Sequence, residues 1–191
     1  MSVVIEGPPG TYKHALAEGL ARVLRKPLVR PNSEYLEWTS KQMMGLPRRW
    51  AFTAVMAAMT ATLTKTPHAV SVGTPETALR CYMPVLCTQM STGEAQLLAQ
   101  AAQALQPRVN PGVTVYIRGT PEHAMRRMQL RDASGDQWLT WKRLQVVCNN
   151  FQGVMTQRRM VIEVPPLDYR NDTNVDRVAR RVLELFSQEK A

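Results

Sequence analysis

One stretch near the start of the chain constrains its fold more than any other. Ser2 to Glu6 (SVVIE) is a short run rich in β-branched residues, and it leads directly into Gly7-Pro8-Pro9-Gly10. From Tyr12 to Leu24 the apolar residues Leu16, Leu20, Val23 and Leu24 recur at helical spacing. A buried strand, a glycine turn and a helix in that order form the opening of a βαβ unit, which needs a parallel sheet. The turn also overlays the phosphate-binding pattern G-x-x-x-x-G-K-S/T. Gly7 and Lys13 occupy their expected places, while Tyr12 replaces the second glycine and His14 replaces the hydroxyl residue. A glycine is needed there because the backbone must pass close to a phosphate, where a side chain crowds it. A hydroxyl is needed because Mg²⁺ takes hard oxygen ligands, and imidazole is a poor substitute. A helix N-terminus and the Lys13 ammonium remain, so Gly7, Gly10 and Lys13 are candidate phosphate-binding residues. The competing reading is a plain strand-to-helix turn whose lysine caps the surface.

The rest of the chain repeats the alternation. Ala69 to Val72, Val113 to Ile117 and Met160 to Val164 read as further strands, and the VTVYI segment is the clearest. Helical patterns cover about 48–63, 94–105, 121–131, 138–156 and 174–186. Strands separated by helices predict an α/β fold with a parallel sheet of about five strands and helices on both faces. Residues 1–191 suit a single domain, and the sequence carries no internal repeat.

Composition narrows the partners. Lys and Arg number 24 against 15 Asp and Glu, a net charge of +9. That balance favours anionic partners such as nucleotides or an acidic protein surface. Nucleic acid rests on charge alone, because no basic-aromatic cluster accompanies it, and is not the expected partner. No apolar run approaches the roughly 20 residues of a membrane helix. The cysteines Cys81, Cys87 and Cys148 are odd in number and form no CxxC, so neither a disulfide framework nor a zinc site is indicated. His14, His68 and His123 are scattered, and no metal site is assigned. A reducing intracellular compartment fits, and with the first apolar run at Val3 no leader is expected ahead of it.

Several segments together resemble the deoxynucleoside kinase family, which includes deoxycytidine, deoxyguanosine and herpes-type thymidine kinases. VVIEGPPGTYKHALAEGLARVL is similar to that family's strand-loop-helix opening. MMGLPRRWAFTAVMAAMTATL resembles its substrate-side helix, and VYIRGTPEHAMRRMQLRD its strand and Thr/Ser-Pro-Glu helix leading to an arginine-bearing lid. VIEV and the closing helix fall where the family has them. The resemblance implies a P-loop nucleotide-kinase fold with a helical lid. It places Arg127 and Arg131 on the phosphates and Trp38 and Trp50 at the substrate cleft, core packing being the preferred alternative for Trp50.

Four departures from the family pattern bear on activity. Pro31 or Asn32 stands where the family has its general-base glutamate, so Glu34 or Glu37 would serve only through a shifted loop. Val55 stands at the base-reading glutamine. Gly73-Thr74-Pro75 replaces the Glu-Arg-Ser motif, removing its carboxylate and guanidinium, while Arg80 matches a later arginine. Ala133 replaces a third lid arginine. Phosphoryl transfer depends on positioning and charge neutralisation, and a missing base alone costs about 10²–10⁴-fold. Together these losses predict a degenerate kinase homologue without activity, holding ATP or another nucleotide weakly, with Mg²⁺ in doubt. Its role would be that of a structural or nucleotide-binding subunit among protein partners. The kinase-like accessory subunit of mitochondrial complex I is similar in type, which points to the mitochondrial matrix or the cytoplasm. The alternative is an active, divergent, viral-type deoxynucleoside kinase using Lys13, Arg127, Arg131 and Glu34.

Overall fold

The computed structural model describes residues 2–29, 66, 68–88, 91–93, 95–96, 100, 112–130 and 140–188. Five strands form one sheet: β1 (Val3–Glu6), β2 (Leu28–Val29), β3 (Val70–Val72), β4 (Val113–Ile117) and β5 (Val161–Val164). Their spatial order is β2-β3-β1-β4-β5. Every pairing is parallel, with Val3 opposite both Val70 and Val113, and Thr114 opposite Val161. The expected parallel sheet is therefore present, with β1 at its centre. All residues of β1, β3 and β4 are buried, as a parallel sheet covered on both faces requires.

The period of two along the strands divides the core into two layers. Val3, Ile5, Val70, Val72, Val113, Val115 and Ile117 face α1 (Lys13–Val23) and the closing helix. Leu16 and Leu20 from α1 are fully buried there, each worth about 2 kcal/mol of apolar burial. Gly19 lets the closing helix approach: a Cβ at that position would meet both Val175 methyls at 2.7 Å. Arg25, at φ 51, ends α1, and the Lys26 N–H returns to the Ala21 carbonyl at 2.9 Å. On the opposite face Tyr116 packs with Cys81, Val85, Leu144, Val147 and Phe151.

That second layer begins after β3 with the short α2 (Pro75–Thr77), continues through a π-helical turn (Ala78–Tyr82) and ends in α3 (Met83–Cys87). The helices α4 (Pro121–Leu130), α5 (Trp141–Met155) and α6 (Asp172–Gln188) follow. Two of these features differ from expectation. β2 has only two residues, between Pro27 and Pro31, and such a run carries no readable period. The helical path through 75–87 also escapes a search at 3.6 residues, because the π-turn shifts its register and Pro84 interrupts it. Elsewhere the ends move by a few residues. The Thr140 hydroxyl accepts from the Arg143 N–H at 3.5 Å, so α5 starts at Trp141 rather than Trp138. The Asn171 side chain accepts from the Thr173 N–H at 2.9 Å and extends α6 upstream of Asn174. The helix expected over 48–63 lies outside the described residues, as does most of 94–105. Among the described residues no helix is long and apolar enough to cross a membrane.

Candidate phosphate-binding site

Open parallel sheets bind ligands beyond the carboxyl ends of the strands, where the strand order reverses. Here that point is the end of β1, between β3 and β4. The turn from β1 to α1 occupies it. Gly7 has φ 155, and a Cβ on it would stand 2.7 Å from the Ile117 carbonyl, so no larger residue fits. Gly10 has φ 76, and its Cβ would meet the Arg127 Cβ at 2.9 Å and the Ala124 carbonyl at 3.2 Å. α4 thus lies directly on the loop. Within the loop, the buried Thr11 hydroxyl donates to the Pro8 carbonyl at 2.8 Å.

Lys13 closes the turn from the helix side. Its ammonium donates to the Gly7 carbonyl at 2.7 Å and to the Pro8 carbonyl at 2.6 Å. The charge is thereby held at the loop. His14, next along the first turn of α1, is exposed. An exposed imidazole does not fit Mg²⁺, and among the described residues no three His, Cys, Asp or Glu side chains gather as a metal site.

Tyr12 adopts φ 57 and ψ 25, the left-handed conformation that suits a glycine. Its ring is stacked: the Arg127 guanidinium carbon lies 3.6 Å from the ring centroid, and that of Arg170 lies 5.6 Å away. Arg170 comes from the segment between β5 and α6. Asp168 accepts from its Nε at 2.9 Å. The bonds from Arg170 pull the Asp168 carboxyl down to about 2, and the same pairing raises the Arg170 pKa, assisted by the Tyr12 hydroxyl. The buried Nε of Arg127 meets no acceptor among the described residues.

Beneath the loop is a buried polar cluster. Glu6, the last residue of β1, is 1% exposed. It accepts from the Thr77 hydroxyl at 2.8 Å and the Thr74 hydroxyl at 3.0 Å. Arg158, just before β5, reaches across this face of the sheet. It bonds the Thr114 hydroxyl at 3.0 Å, the Thr74 hydroxyl at 3.1 Å and the Glu76 carboxylate at 2.9 Å, and lies 3.6 Å from Glu6. Burial pushes the Glu6 carboxyl up to about 7, with Arg158 and the two threonines opposing the rise. Burial also pushes Glu76 upward, but the bonds from Arg158 and Arg80 outweigh it and hold that carboxyl below its usual range.

Of the residues assigned from sequence, the structure brings Gly7, Gly10, Lys13 and Arg127 together. Arg131, Glu34, Glu37, Trp38 and Trp50 lie outside the described residues, as do Pro31, Asn32, Val55 and Ala133. The turn after β3 has no carboxylate or guanidinium at 73–75, and an ion pair between Glu76 and Arg158 lies beside it. Sequence reading passed over Glu6, Arg158 and Arg170. Glu6 carried a signal, being a carboxylate at the end of a wholly apolar strand. Arg158 and Arg170 carried none, because their partners are distant in sequence.

No family model and no curated protein sequence matches the chain. Solved structures do match it. The structure of deoxyadenosine kinase from M. mycoides with products dCMP and a flexible dCDP bound has a TM-score of 0.76 at 14% identity, covering 97% of this chain and 100% of that one. The dCTP-bound form of that enzyme gives 0.76 at 14%, covering 96% and 100%. The dATP-bound form gives 0.70 at 13%, covering 95% and 98%. The chain therefore has the P-loop fold of the deoxynucleoside kinases along nearly its whole length.

Proposed function

We propose that this protein is a nucleotide-binding homologue of the deoxynucleoside kinases that does not transfer phosphate, and that it serves as a structural or nucleotide-binding subunit of a larger assembly. The observation that carries this reading is at the first turn of α1. Gly7 and Lys13 keep their places in the phosphate-loop pattern, with the Lys13 ammonium on the loop carbonyls, but the neighbouring side chain is the exposed His14, which supplies no oxygen for Mg²⁺. Deoxyadenosine kinase of the same fold is known with dATP, dCTP and dCMP bound, which supports a nucleotide as the ligand here. The compartment in this proposal is the mitochondrial matrix or the cytoplasm, with protein partners. A second reading, an active and divergent ATP-dependent deoxynucleoside kinase, is favoured by one observation: Arg158 and Glu76 restore opposite charges beside Thr74.

One assay separates the two. Purified protein with Mg·ATP and each of the four deoxynucleosides is expected to give no turnover above a buffer blank. Phosphorylation that disappears in Lys13→Ala would establish the second reading. Membership of an assembly is checked by native sizing of the endogenous protein, which should migrate well above the 21.5 kDa of the chain.

A further inference from the structure

Tyr12 stands where a glycine is expected, yet its ring has a defined contact: it lies against two guanidinium groups from separate parts of the chain. Stacking engages the face of a guanidinium and leaves its in-plane N–H edge to meet an anion. A ring that fixes the plane of an arginine lowers the cost of ordering that side chain when a ligand arrives. Arg127 is held this way on α4, and its buried Nε meets no acceptor among the described residues. Arg170 is fixed in plane by Asp168, which also offsets part of its charge. Lys13 follows Tyr12 directly, with its ammonium over the loop. Three cationic side chains are thus ordered around one turn from which the Mg²⁺ hydroxyl is missing.

We propose that Tyr12, Arg127 and Arg170 form an oligophosphate clamp that binds the di- or triphosphate group of a nucleotide without a metal ion, the arginine pair supplying the positive charge that Mg²⁺ would bring. This rests on the reading of the turn as a nucleotide site. Arg170 becomes a phosphate ligand from the β5–α6 segment, and Tyr12 a positioning residue. Mg²⁺ competes with the clamp, because it would neutralise the same oxygens that the arginines need.

Calorimetry with sodium tripolyphosphate, in EDTA and then in excess Mg²⁺, tests the clamp on the full chain. The wild type should bind in EDTA and should bind more weakly with Mg²⁺. Arg170→Gln, at an exposed position where folding is not at risk, should weaken the EDTA affinity about 10-fold, as expected for one charged hydrogen bond lost. Tyr12→Leu should weaken it about 2–5-fold, the scale of an exposed cation–π contact, and Tyr12→Phe should recover most of that. If Arg170→Gln binds like the wild type while Lys13→Ala loses binding, the clamp is wrong and the nucleotide reading of the turn stands. Tighter wild-type binding with Mg²⁺ also overturns the clamp. No binding by the wild type in either buffer overturns both.

Discussion

The Thr77 hydroxyl donates to the Glu6 carboxylate at 2.8 Å, across 71 residues of sequence, in a position where Glu6 is only 1% exposed. Burial raises the Glu6 carboxyl from 4.5 to about 7. A carboxyl that binds its proton more tightly when folded adds stability below its unfolded value. That contribution is lost as pH rises through its folded value. Between about pH 4.5 and 7 the ionisation of Glu6 therefore works against the fold, by on the order of 3 kcal/mol in total. Glu6→Gln should flatten this part of the pH profile and be more stable than the wild type at pH 8. Urea unfolding at pH 5, 6.5 and 8 measures both. Parallel profiles for the two proteins would mean that Glu6 ionises as it does in water.

Arg158→Met keeps most of the aliphatic stem and removes the guanidinium, whose side chain is only 10% exposed. Glu6, Glu76, Thr74 and Thr114 all lose a donor or counter-charge. The expected loss is about 3 kcal/mol at pH 8, and less at pH 5, where Glu6 is protonated. A double-mutant cycle with Glu6→Gln isolates the coupling. Additive effects at pH 8 would show that the two residues do not act as a pair.

Gly10→Ala places a Cβ 2.9 Å from the Arg127 Cβ and 3.2 Å from the Ala124 carbonyl, on a backbone at φ 76. Side-chain strain at such a φ costs about 1–2 kcal/mol before any clash is counted. The melting temperature should fall by about 3–8 °C, and hydrogen exchange should rise at the start of α4. Unchanged exchange there would mean that α4 does not rest on the loop.

Tyr12→Gly with His14→Ser restores the phosphate-loop pattern. The glycine removes the ring, and the serine supplies the hydroxyl that Mg²⁺ requires. With Mg²⁺ present, nucleotide affinity should rise about 10-fold or more over the wild type. In EDTA it should fall, because Arg127 loses its stacking partner and Arg170 the ring beside it. Calorimetry with ATP in the two buffers reads both changes. Equal affinity for the two proteins with Mg²⁺ would mean that Tyr12 and His14 do not limit the site.

What could be read from sequence was what local chemistry dictates. β1, its turn and α1 follow from adjacent residues: an apolar run, two glycines with required positive φ, and apolar spacing from Leu16 to Leu24. β4 was legible for the same reason, as an uninterrupted VTVYI run. The edge strand Leu28–Val29 was not, because pairing with β3 rather than its own pattern makes it a strand. In the site, Gly7, Gly10 and Lys13 were legible because backbone geometry limits which residues fit there. Arg127 lies beside the loop, but its stacking on Tyr12 was not foreseeable. Arg158 and Arg170 lie in polar segments where a charge ordinarily faces solvent, and only tertiary approach gives them partners.

Arg158 also has a consequence for biosynthesis. It follows Thr74 by 84 residues, and at a synthesis rate of about 5–20 residues per second the ribosome delivers it roughly 4–17 s later. Until then the Glu6 carboxylate, which lies in the first strand translated, has no guanidinium beside it, and β4 has no β5 at its side. The phosphate loop is encoded early, but its foundation can form only after most of the chain has emerged. A nascent chain stalled before Arg158 would carry an unpaired β4 edge and an uncompensated acid, a natural target for a chaperone that recognises unpaired strands.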